Sequence, residues 1–435
     1  MHTTNPLRLL GLVVPLLVAM LASCEKDSCE QTWTQVVPVP VTLNRSEVHD
    51  SIAAMPPREF CTGGNLYAYG QYVFVNVNRE GYHLLDNSNP ANPTPVAFLR
   101  VPGATHMAFV DGRMVSDSYA DLLVLDFGGP TDLALVSWTP NLLLQTDAFE
   151  VGEDAVAVGF EDRAVEFTQS CSGRVTGTWF GRGFGEDVAF NALSADAFRG
   201  GGSTPTVNTA GSLARLAFCD SRLYALSTDR LSAFDLVDDG LEARETTQLG
   251  WGQETIIRRG DHLYVASRSA LRIFDIAGCG DPRELGSAPH RWAWDPVAVE
   301  GNRAVVTTRW GEGTDALGGE MIVFDVADPA NPIRLATHPL TQPVGLALHG
   351  GTLYVCDAVD GLRVYDFAGG GAESLTEREL AGFPERRVLD VAVLPYPAGA
   401  VLLGVGDDEL SQFAVGDGGE LETLVTLDVA TCARS

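Results

Sequence analysis

The chain has 435 residues, with 57 aspartates and glutamates against 29 lysines and arginines, which gives a formal net charge of −28 at pH 7. A protein this acidic repels nucleic acid and anionic membrane surfaces, so both are excluded as direct partners of its body. Lys26 is the only lysine. We ascribe this composition to a GC-rich genome together with a high-salt habitat; an acidic site for a cationic ligand is the alternative.

The N-terminus predicts a lipoprotein signal peptide over residues 1–23. Arg8 precedes an apolar run from Leu9 to Ala22, which is shorter than the roughly 20 residues that a membrane-spanning helix needs. The run is followed by "LASC", which resembles the lipobox at which bacteria acylate a cysteine, so Cys24 is the expected lipidation site. An ordinary signal peptide with an incidental cysteine is the alternative. We therefore expect a body that is anchored by lipid alone in the bacterial cell envelope, at the outer membrane.

Residues 24–60 form a polar tether followed by an apolar segment, "TQVVPVPVTL", which predicts an isolated strand. We expect this strand to pair near the C-terminal segment "LETLVTLDV". Such pairing would close the molecule on itself and remove exposed sheet edges.

From residue 61 onward, an apolar run that ends in aspartate recurs along the chain. Neighbouring copies, such as those that end at Asp86 and Asp126, lie 40 residues apart. The six aspartates are Asp86, Asp126, Asp235, Asp275, Asp325 and Asp366. Two weaker copies end at Thr168 and Ala414. A fixed period near 40 residues indicates a repeat architecture.

Each repeat contains four short strand-like segments separated by turn-forming residues, as antiparallel hairpins do, and the first segment is the most apolar while the fourth carries charge. Four strands in about 40 residues make one blade of a β-propeller. The copies therefore predict an all-β fold: a single propeller over residues 61–435 with eight four-stranded blades, or seven as the alternative. The Gly-rich stretch around residues 183–212 is expected to be a long surface loop.

The closing aspartates have a structural explanation. Aspartate tolerates turn conformations and accepts hydrogen bonds from the backbone N–H two residues further on. The turn is complete in "DNSNPANP" from Asp86 and in "DVADPANP" from Asp325. We therefore interpret the six aspartates as turn residues; a ligand-binding role is the alternative.

The phrases "GYHLLDNSNPANPTPVAFLRVPG", "IVFDVADPANP" and "LYVCDAVDGLRVYD" resemble the LVIVD-repeat β-propeller lipoproteins of Bacteroidetes-like bacteria. The resemblance implies a propeller fold and an envelope location, and it carries no catalytic residues. Thr168 and Ala414 depart from the closing aspartate of the pattern. Trp294 stands where a cysteine is often expected, which puts a disulfide of the family at that point in doubt.

The chain has eight cysteines. Cys219 and Cys356 lie in or at the ends of predicted core strands and are expected to be buried thiols. Cys29, Cys61 and Cys432 flank the expected closure, where a disulfide among them would join the two ends of the chain. No C-x-x-C, metalloprotease or phosphate-loop motif occurs, so no metal and no cofactor are expected.

A candidate binding face follows from the order of strands in a blade. The starts of the innermost strands, and the loops beside them, surround one mouth of a propeller's central channel. Trp and Arg side chains beside mixed charges at such a mouth suit a glycan or a protein partner. The candidate residues are His106, Arg215, Glu254, Trp292, Trp294, Asp295, Arg309, Trp310, Arg387 and Asp390. Solvated polar lining of the channel is the alternative explanation.

The sequence therefore predicts a binding or scaffold module rather than an enzyme. The alternative function is that of an extracellular polysaccharide hydrolase or lyase with acids at the channel mouth. In that case Glu254 and Asp295 would form the pair of carboxylates that glycoside chemistry uses.

Overall fold

The computed structural model describes residues 31–62, 65–77, 79–140, 142, 154–169, 175–176, 208–209, 214–291, 296–310, 318–367, 379–383, 388–397, 399–406, 409–428 and 430–431. The chain divides into two compact units. The smaller comprises Met1–Val41 and Gly159–Phe184, and the larger comprises Thr42–Val158 and Gly185–Ser435. The predicted signal peptide and Cys24 lie outside the described residues. Within the described ranges, no helix has the length and apolar character that crossing a bilayer requires.

The first half of the chain contains two blades and the segments on either side of them. The N-terminal elements are β1 (Gln31–Asn44), α1 (Arg45–Asp50), β2 (Ala53–Met55) and β3 (Cys61–Thr62). Blade 1 consists of β4 (Leu66–Tyr69), β5 (Tyr72–Val77), β6 (Gly81–Asp86) and β7 (Thr94–Arg100). Blade 2 consists of β8 (Met107–Val110), β9 (Arg113–Ser118), β10 (Asp121–Gly129) and β11 (Asp132–Thr139). Three strands follow: β12 (Ala155–Gln169), β13 (Val175–Thr176) and β14 (Asn208–Thr209).

The second half contains five blades in unbroken succession. Blade 3 consists of β15 (Leu216–Cys219), β16 (Arg222–Leu226), β17 (Arg230–Val237) and β18 (Gly240–Gln248). Blade 4 consists of β19 (Gln253–Arg259), β20 (His262–Ser267), β21 (Ala270–Asp275) and β22 (Arg283–Pro289), with a 3₁₀ turn at Ala277–Cys279. Blade 5 consists of β23 (Val297–Glu300), β24 (Arg303–Trp310), β25 (Gly318–Asp325) and β26 (Ile333–Leu340). Blade 6 consists of β27 (Pro343–His349), β28 (Thr352–Asp357), β29 (Gly361–Asp366) and β30 (Glu379–Phe383). Blade 7 consists of β31 (Val388–Tyr396), β32 (Gly399–Gly406), β33 (Glu409–Val415) and β34 (Leu421–Asp428), and β35 (Ala430–Thr431) follows it.

Each blade is an antiparallel meander whose four strands pair in chain order. Tight turns join the first two strands, and glycines in the left-handed region make two of them possible: Gly70 has φ +60° and Gly112 has φ +81°. Because a blade is covered on both sides, its central strands are apolar without alternation. Val73, Phe74 and Val75 of β5 are all buried, for example.

Neighbouring blades pack face to face, and a cluster of buried apolar side chains fills each of seven gaps. Ile273 and Phe324 belong to the cluster between blades 4 and 5. Leu66 and Leu403 belong to the cluster between blades 1 and 7, which closes the ring. The fold is thus an all-β propeller, as predicted, with the seven blades of the alternative rather than eight.

The prediction of an eighth blade is wrong because the weak copy that ends at Thr168 does not form a four-stranded blade. Its residues lie in β12, a single continuous strand that pairs with β1 and β13 in a separate three-stranded sheet. The Gly-rich insertion around residues 183–212 lies outside the described residues except for β14. Asn208 and Thr209 of that strand pair with Tyr69 and Ala68 of β4, on the inner edge of blade 1.

The ring is closed by other strands than expected. The predicted N-terminal strand, β1, pairs with β12 and not with β34. Instead, β3 pairs in parallel with β35, so that Cys61 lies opposite Ala430. Cys61 is disulfide-bonded; the other two cysteines of the predicted closure, Cys29 and Cys432, lie outside the described residues.

A buried polar network also joins the first and last blades. The Asn87 amide donates to the Tyr396 hydroxyl at 2.6 Å, and the Gln412 amide donates to Asn87 Oδ1 at 2.7 Å. Tyr396 lies at the end of the long inner strand of blade 7. The extra length of that strand therefore carries a side chain across to blade 1.

The cysteines correct one prediction and confirm another. Cys219 is not a free thiol: it forms a disulfide with Cys279, at a Cα–Cα distance of 5.4 Å. The bond links the first hairpin of blade 3 to the 3₁₀ turn of blade 4. Cys356 is a buried free thiol, as expected.

Candidate binding site at the channel mouth

Crossover loops, which lead from the outer strand of one blade to the inner strand of the next, lie beside the hairpins between second and third strands. Backbone hydrogen bonds join the two sets. Asp117 N donates to His106 O at 3.1 Å, and Arg268 N donates to Gly252 O at 2.8 Å. We call the face formed by these loops and hairpins the mouth. The inner strands begin there, so residues at their starts surround the channel.

Two buried aspartates hold crossover loops in place. Asp117 is the last residue but one of the second strand of blade 2. Its Oδ1 accepts from the backbone N–H groups of Thr105 and His106 at 2.7 and 2.8 Å. Asp357 occupies the matching position of blade 6, and its Oδ2 accepts from Thr341 N and Gln342 N at 3.0 and 2.8 Å. Backbone N–H groups that point at a carboxylate satisfy its lone pairs, so both residues shape the mouth without being available to a ligand.

Asp117 nevertheless has unusual proton chemistry. Burial raises the pKa of its carboxyl to about 6, against the opposing effect of its hydrogen bonds and of Arg215. The Thr105 hydroxyl also donates to this carboxylate. A carboxyl with this pKa is partly protonated in mildly acidic solution.

His106 and Asn65 stand next to each other at the starts of blades 2 and 1. The Asn65 amide nitrogen lies 3.5 Å from His106 Nδ1 and donates to Thr105 O at 2.8 Å. Burial, and next the positive charge of Arg215, lower the pKa of His106 to about 3. The imidazole is therefore neutral at physiological pH, and it can both donate and accept hydrogen bonds.

Arg215 precedes the inner strand of blade 3, and its side chain is half-buried. Burial lowers the pKa of its guanidinium, whereas the nearby Glu254 and Asp117 carboxylates act in the opposite direction. Arg215 is therefore within electrostatic reach of two other predicted site residues, His106 and Glu254. The residues lie on three consecutive blades.

A relay of stacked and paired side chains continues from Glu254 to the surface. Glu254 is buried, and its Oε1 accepts from Arg268 Nε at 2.9 Å. The Arg268 guanidinium carbon lies 4.5 Å from the centre of the Trp251 ring, a cation–π distance. Trp251, in the crossover loop before blade 4, is 53% exposed. An aromatic ring held in this way is a ready surface for a sugar or an apolar side chain.

The next blade repeats the stack with the partners exchanged. Arg291, in the crossover loop before blade 5, lies 4.3 Å from the centre of the Trp310 ring, at the hairpin of that blade. Arg309 precedes Trp310 in the same strand, and both side chains are partly exposed. Four other predicted site residues lie outside the described residues: Trp292, Trp294, Asp295 and Arg387.

Asp390 is buried in the inner strand of blade 7. Its charge helps to raise the pKa values of Tyr67 and of Cys356, which places it between blades 1 and 6. The described residues contain no cluster of His, Cys, Asp and Glu that could hold a metal ion.

The closing aspartates of the repeats lie at the opposite face, in the turns after the third strands. Asp86, Asp275 and Asp325 accept from the backbone N–H two residues on, at 2.9, 3.1 and 2.9 Å. Asp126 pairs with Arg113 at 2.5 Å, and Asp235 pairs with both Arg222 and Arg244. Asp366 ends its strand in blade 6, opposite Thr352.

Sequence reasoning missed Trp251, Arg268, Asp117 and Asp357. The sequence does carry a signal for the first two. Trp251 lies in the crossover "LGWGQ", which corresponds to the loop of Arg291 one repeat later. Arg268 lies in the hairpin "SRSA", which corresponds to the hairpin of Trp310. For the two aspartates the signal is the pair "VSDS" and "VCDA" at the ends of second strands.

Comparisons with known proteins agree with this architecture. A family model described as LVIVD repeat matches residues 63–97, which form most of blade 1. No curated protein matches the chain. The chain is therefore a β-propeller that contains an LVIVD repeat, which confirms the resemblance seen in the sequence to that extent.

Solved structures share the fold at low identity. One is a crystal structure of a protein from Lactobacillus plantarum, 12% identical with a TM-score of 0.52, covering 85% of this chain and 97% of that chain. Another is the periplasmic gluconolactonase PpgL of Pseudomonas aeruginosa, 12% identical with a TM-score of 0.50, covering 84% of this chain and 97% of that chain. Such identities show a common fold alone.

Proposed function

We propose that this protein is a lipid-anchored module of the bacterial envelope that binds a glycan or protein partner at the mouth of its propeller. The observation that carries the proposal is the relay from Trp251 through Arg268 to Glu254. Arg268 stacks on the half-exposed Trp251 ring at the mouth, and aromatic and Arg side chains are the usual anchors of recognition.

Two features support a place outside the cytosol. Disulfides persist in oxidising compartments, and both the Cys219–Cys279 bond and the bonded state of Cys61 fit such a compartment. The "LASC" sequence before Cys24 fits lipid anchorage. The strongly negative body then keeps away from anionic membrane and nucleic acid.

The alternative, a polysaccharide hydrolase or lyase, has less support. One of its two proposed carboxylates, Glu254, accepts a hydrogen bond from Arg268 Nε at 2.9 Å in an ion pair. A carboxylate committed in this way is poorly placed to transfer a proton to a glycosidic oxygen. Its proposed partner Asp295 lies outside the described residues.

The test compares two tryptophans of similar exposure. Trp251 at the mouth is 53% exposed, and Trp138 on the outer strand of blade 2 is 49% exposed. Native partners are captured from solubilised membranes with the wild type, Trp251→Ala and Trp138→Ala, and the same proteins are applied to a glycan array. We expect Trp251→Ala to lose its partner at least tenfold and Trp138→Ala to retain it. Equal capture by all three proteins would contradict the proposal, and turnover of a bound glycan would favour the enzyme.

A further inference from the structure

Arg215 is a cation with no direct partner in the described part of the chain: its guanidinium makes no hydrogen bond and no ion pair there. The acids nearest to it are already engaged. Glu254 is paired with Arg268, and Asp117 accepts from Thr105 and His106. A half-buried charge without a hydrogen-bonded partner raises the free energy of the folded state. An anionic ligand group would supply the missing partner.

We propose that Arg215 binds a carboxylate of an acidic oligosaccharide, with a neighbouring sugar ring on Trp251. This inference rests on the proposed binding function of the mouth and specifies its ligand. Arg215 and Trp251 belong to the same part of the mouth. Ile256 N donates to Ala214 O at 2.8 Å, which sets the start of the inner strand of blade 3 beside that of blade 4, where Glu254 lies. Arg268 then links Glu254 to the Trp251 ring.

The charge of the site selects a carboxylate over a phosphate. A guanidinium presents a planar fork that matches a carboxylate with two parallel hydrogen bonds. Glu254 and Asp117 lie within electrostatic reach of the same guanidinium. They would repel a doubly charged phosphate more strongly than a singly charged carboxylate, and the whole chain carries a net charge of −28.

The other groups at the mouth suit sugar hydroxyls. His106 is held neutral, with its pKa lowered to about 3, so it can donate to one hydroxyl or accept from another. Arg268 covers one face of Trp251, while 53% of the tryptophan's surface remains exposed. A pyranose ring can stack on an exposed indole face. The contact between Arg215 and the ligand's carboxylate then fixes the orientation of that ring.

Titration calorimetry on the mature lipoprotein in detergent tests the inference. The probes are a panel of uronate tetramers that each contain one uronate and three neutral sugars, each matched with a fully neutral tetramer of the same linkage. We expect at least one uronate tetramer to bind tenfold or more tightly than its neutral counterpart, which is about 1.4 kcal/mol. Arg215→Gln should abolish this preference and leave the affinity for the neutral tetramer unchanged. Trp251→Ala should weaken both.

Arg283→Gln is the control for a change in net charge. Arg283 is an exposed arginine paired with Asp275 at 3.0 Å, in the turn region away from the mouth. We expect it to bind every tetramer like the wild type. If Arg283→Gln removes the preference as fully as Arg215→Gln does, the effect is one of overall charge and the inference is overturned.

Thermal unfolding without ligand gives a second readout. Because the Arg215 guanidinium makes no hydrogen bond or ion pair with any residue that the structure describes, the melting temperature of Arg215→Gln should equal or exceed that of the wild type. A clear fall would show a structural role and overturn the inference.

The inference and the proposed function fail in different ways. Binding of neutral tetramers that depends on Trp251 but shows no preference for uronates overturns the carboxylate site and leaves the mouth as a binding face. The same holds if the captured partner is a protein. If no tetramer binds, the carboxylate inference is overturned as well. If, in addition, Trp251→Ala captures partners like the wild type, both fail.

Discussion

The guanidinium of Arg268 lies 4.5 Å from the centre of the Trp251 ring, and this pair recurs in the next blade as Arg291 and Trp310 at 4.3 Å. In blade 4 the tryptophan comes from the crossover loop and the arginine from the hairpin; in blade 5 the roles are reversed. Both stacks join a crossover loop to a hairpin, so both stabilise the mouth. They also keep one tryptophan half-exposed, which a purely structural plug would not require.

The two kinds of aspartate should differ in their contribution to stability. Asp357 is fully buried and accepts from four backbone N–H groups, whereas Asp325 accepts from one at the surface. Leaving a buried donor unpaired costs about 1–3 kcal/mol. We therefore expect Asp357→Ala to lower the free energy of unfolding by about 3 kcal/mol or more, and Asp325→Ala by about 1 kcal/mol.

Urea unfolding of both variants measures this difference, with Asp366→Ala as a further surface aspartate for comparison. Asp325→Ala should bind the native partner like the wild type at temperatures where it is folded. If Asp325→Ala abolishes binding without any loss of stability, the closing aspartates are site residues and not turn residues.

The propeller could be predicted because the repeat marks the turns, and therefore the ends of the strands, in each blade. Turn residues recur with the same phase in every blade, so the phrase that ends at Asp86 or Asp325 also fixes where inner strands begin. That phase placed His106, Arg215 and Glu254 at the mouth. The prediction of an eighth blade was wrong because a single strand such as β12 matches the repeated phrase locally. Only the pairing of β12 with β1, which is more than a hundred residues away, distinguishes such a strand from the third strand of a blade.

The rest of the site depends on contacts that no local pattern encodes. Trp251 is identified as a site residue by its stacking on an arginine in the adjoining hairpin. Cys219 is identified as a disulfide cysteine by its bond to a cysteine in the next blade. A strand-end cysteine surrounded by apolar residues fits a buried thiol equally well from sequence. The distance between loops of neighbouring blades decides such cases, and only the folded ring sets it.

The Cys219–Cys279 disulfide should contribute to stability as a single cross-link. It closes a loop of 60 residues, and native disulfides contribute about 2–4 kcal/mol, chiefly by restricting the unfolded chain. Cys219→Ala, Cys279→Ala and the double variant should therefore lose the same free energy of unfolding, measured with urea under non-reducing conditions. Cys356→Ala, which removes a buried thiol but no cross-link, should cost less. Additive losses in the double variant would contradict a bond between the two.

Lipid anchorage through Cys24 remains a prediction from sequence. Cys24→Ser should move the protein from the detergent-extractable membrane to the soluble fraction, because acylation requires the thiol. Cys29→Ser is the matched control and should stay with the membrane. Mass spectrometry of the wild type should show acyl chains on the N-terminal cysteine. A membrane-bound Cys24→Ser together with an unmodified wild type would rule out a lipoprotein.

Acid should destabilise the fold through buried histidines, of which His83 is the clearest to test. His83 is buried in blade 1, and its Nε2 accepts from Cys61 N at 3.3 Å, so the folded state needs the neutral ring. Burial, and next the charge of Arg58, lower its pKa from 6.5 to about 4. A lowered pKa gives stability that is complete above pH 6.5 and is lost as the pH falls toward 4.

The expected size follows from that shift. Between pH 7 and pH 5, the wild type should lose about 2 kcal/mol more of its free energy of unfolding than His83→Gln, whose amide retains an acceptor but cannot titrate. Comparing the two proteins removes the other titrating groups. These include Asp117, whose pKa of about 6 acts in the opposite direction, because its contribution is complete below 3.8 and is lost as the pH rises through 6. Urea unfolding at half-unit steps from pH 8 to pH 5 gives the two curves. They should run parallel above pH 7 and diverge below it; curves that stay parallel to pH 5 would mean that His83 is protonated in the folded protein as readily as in the unfolded chain.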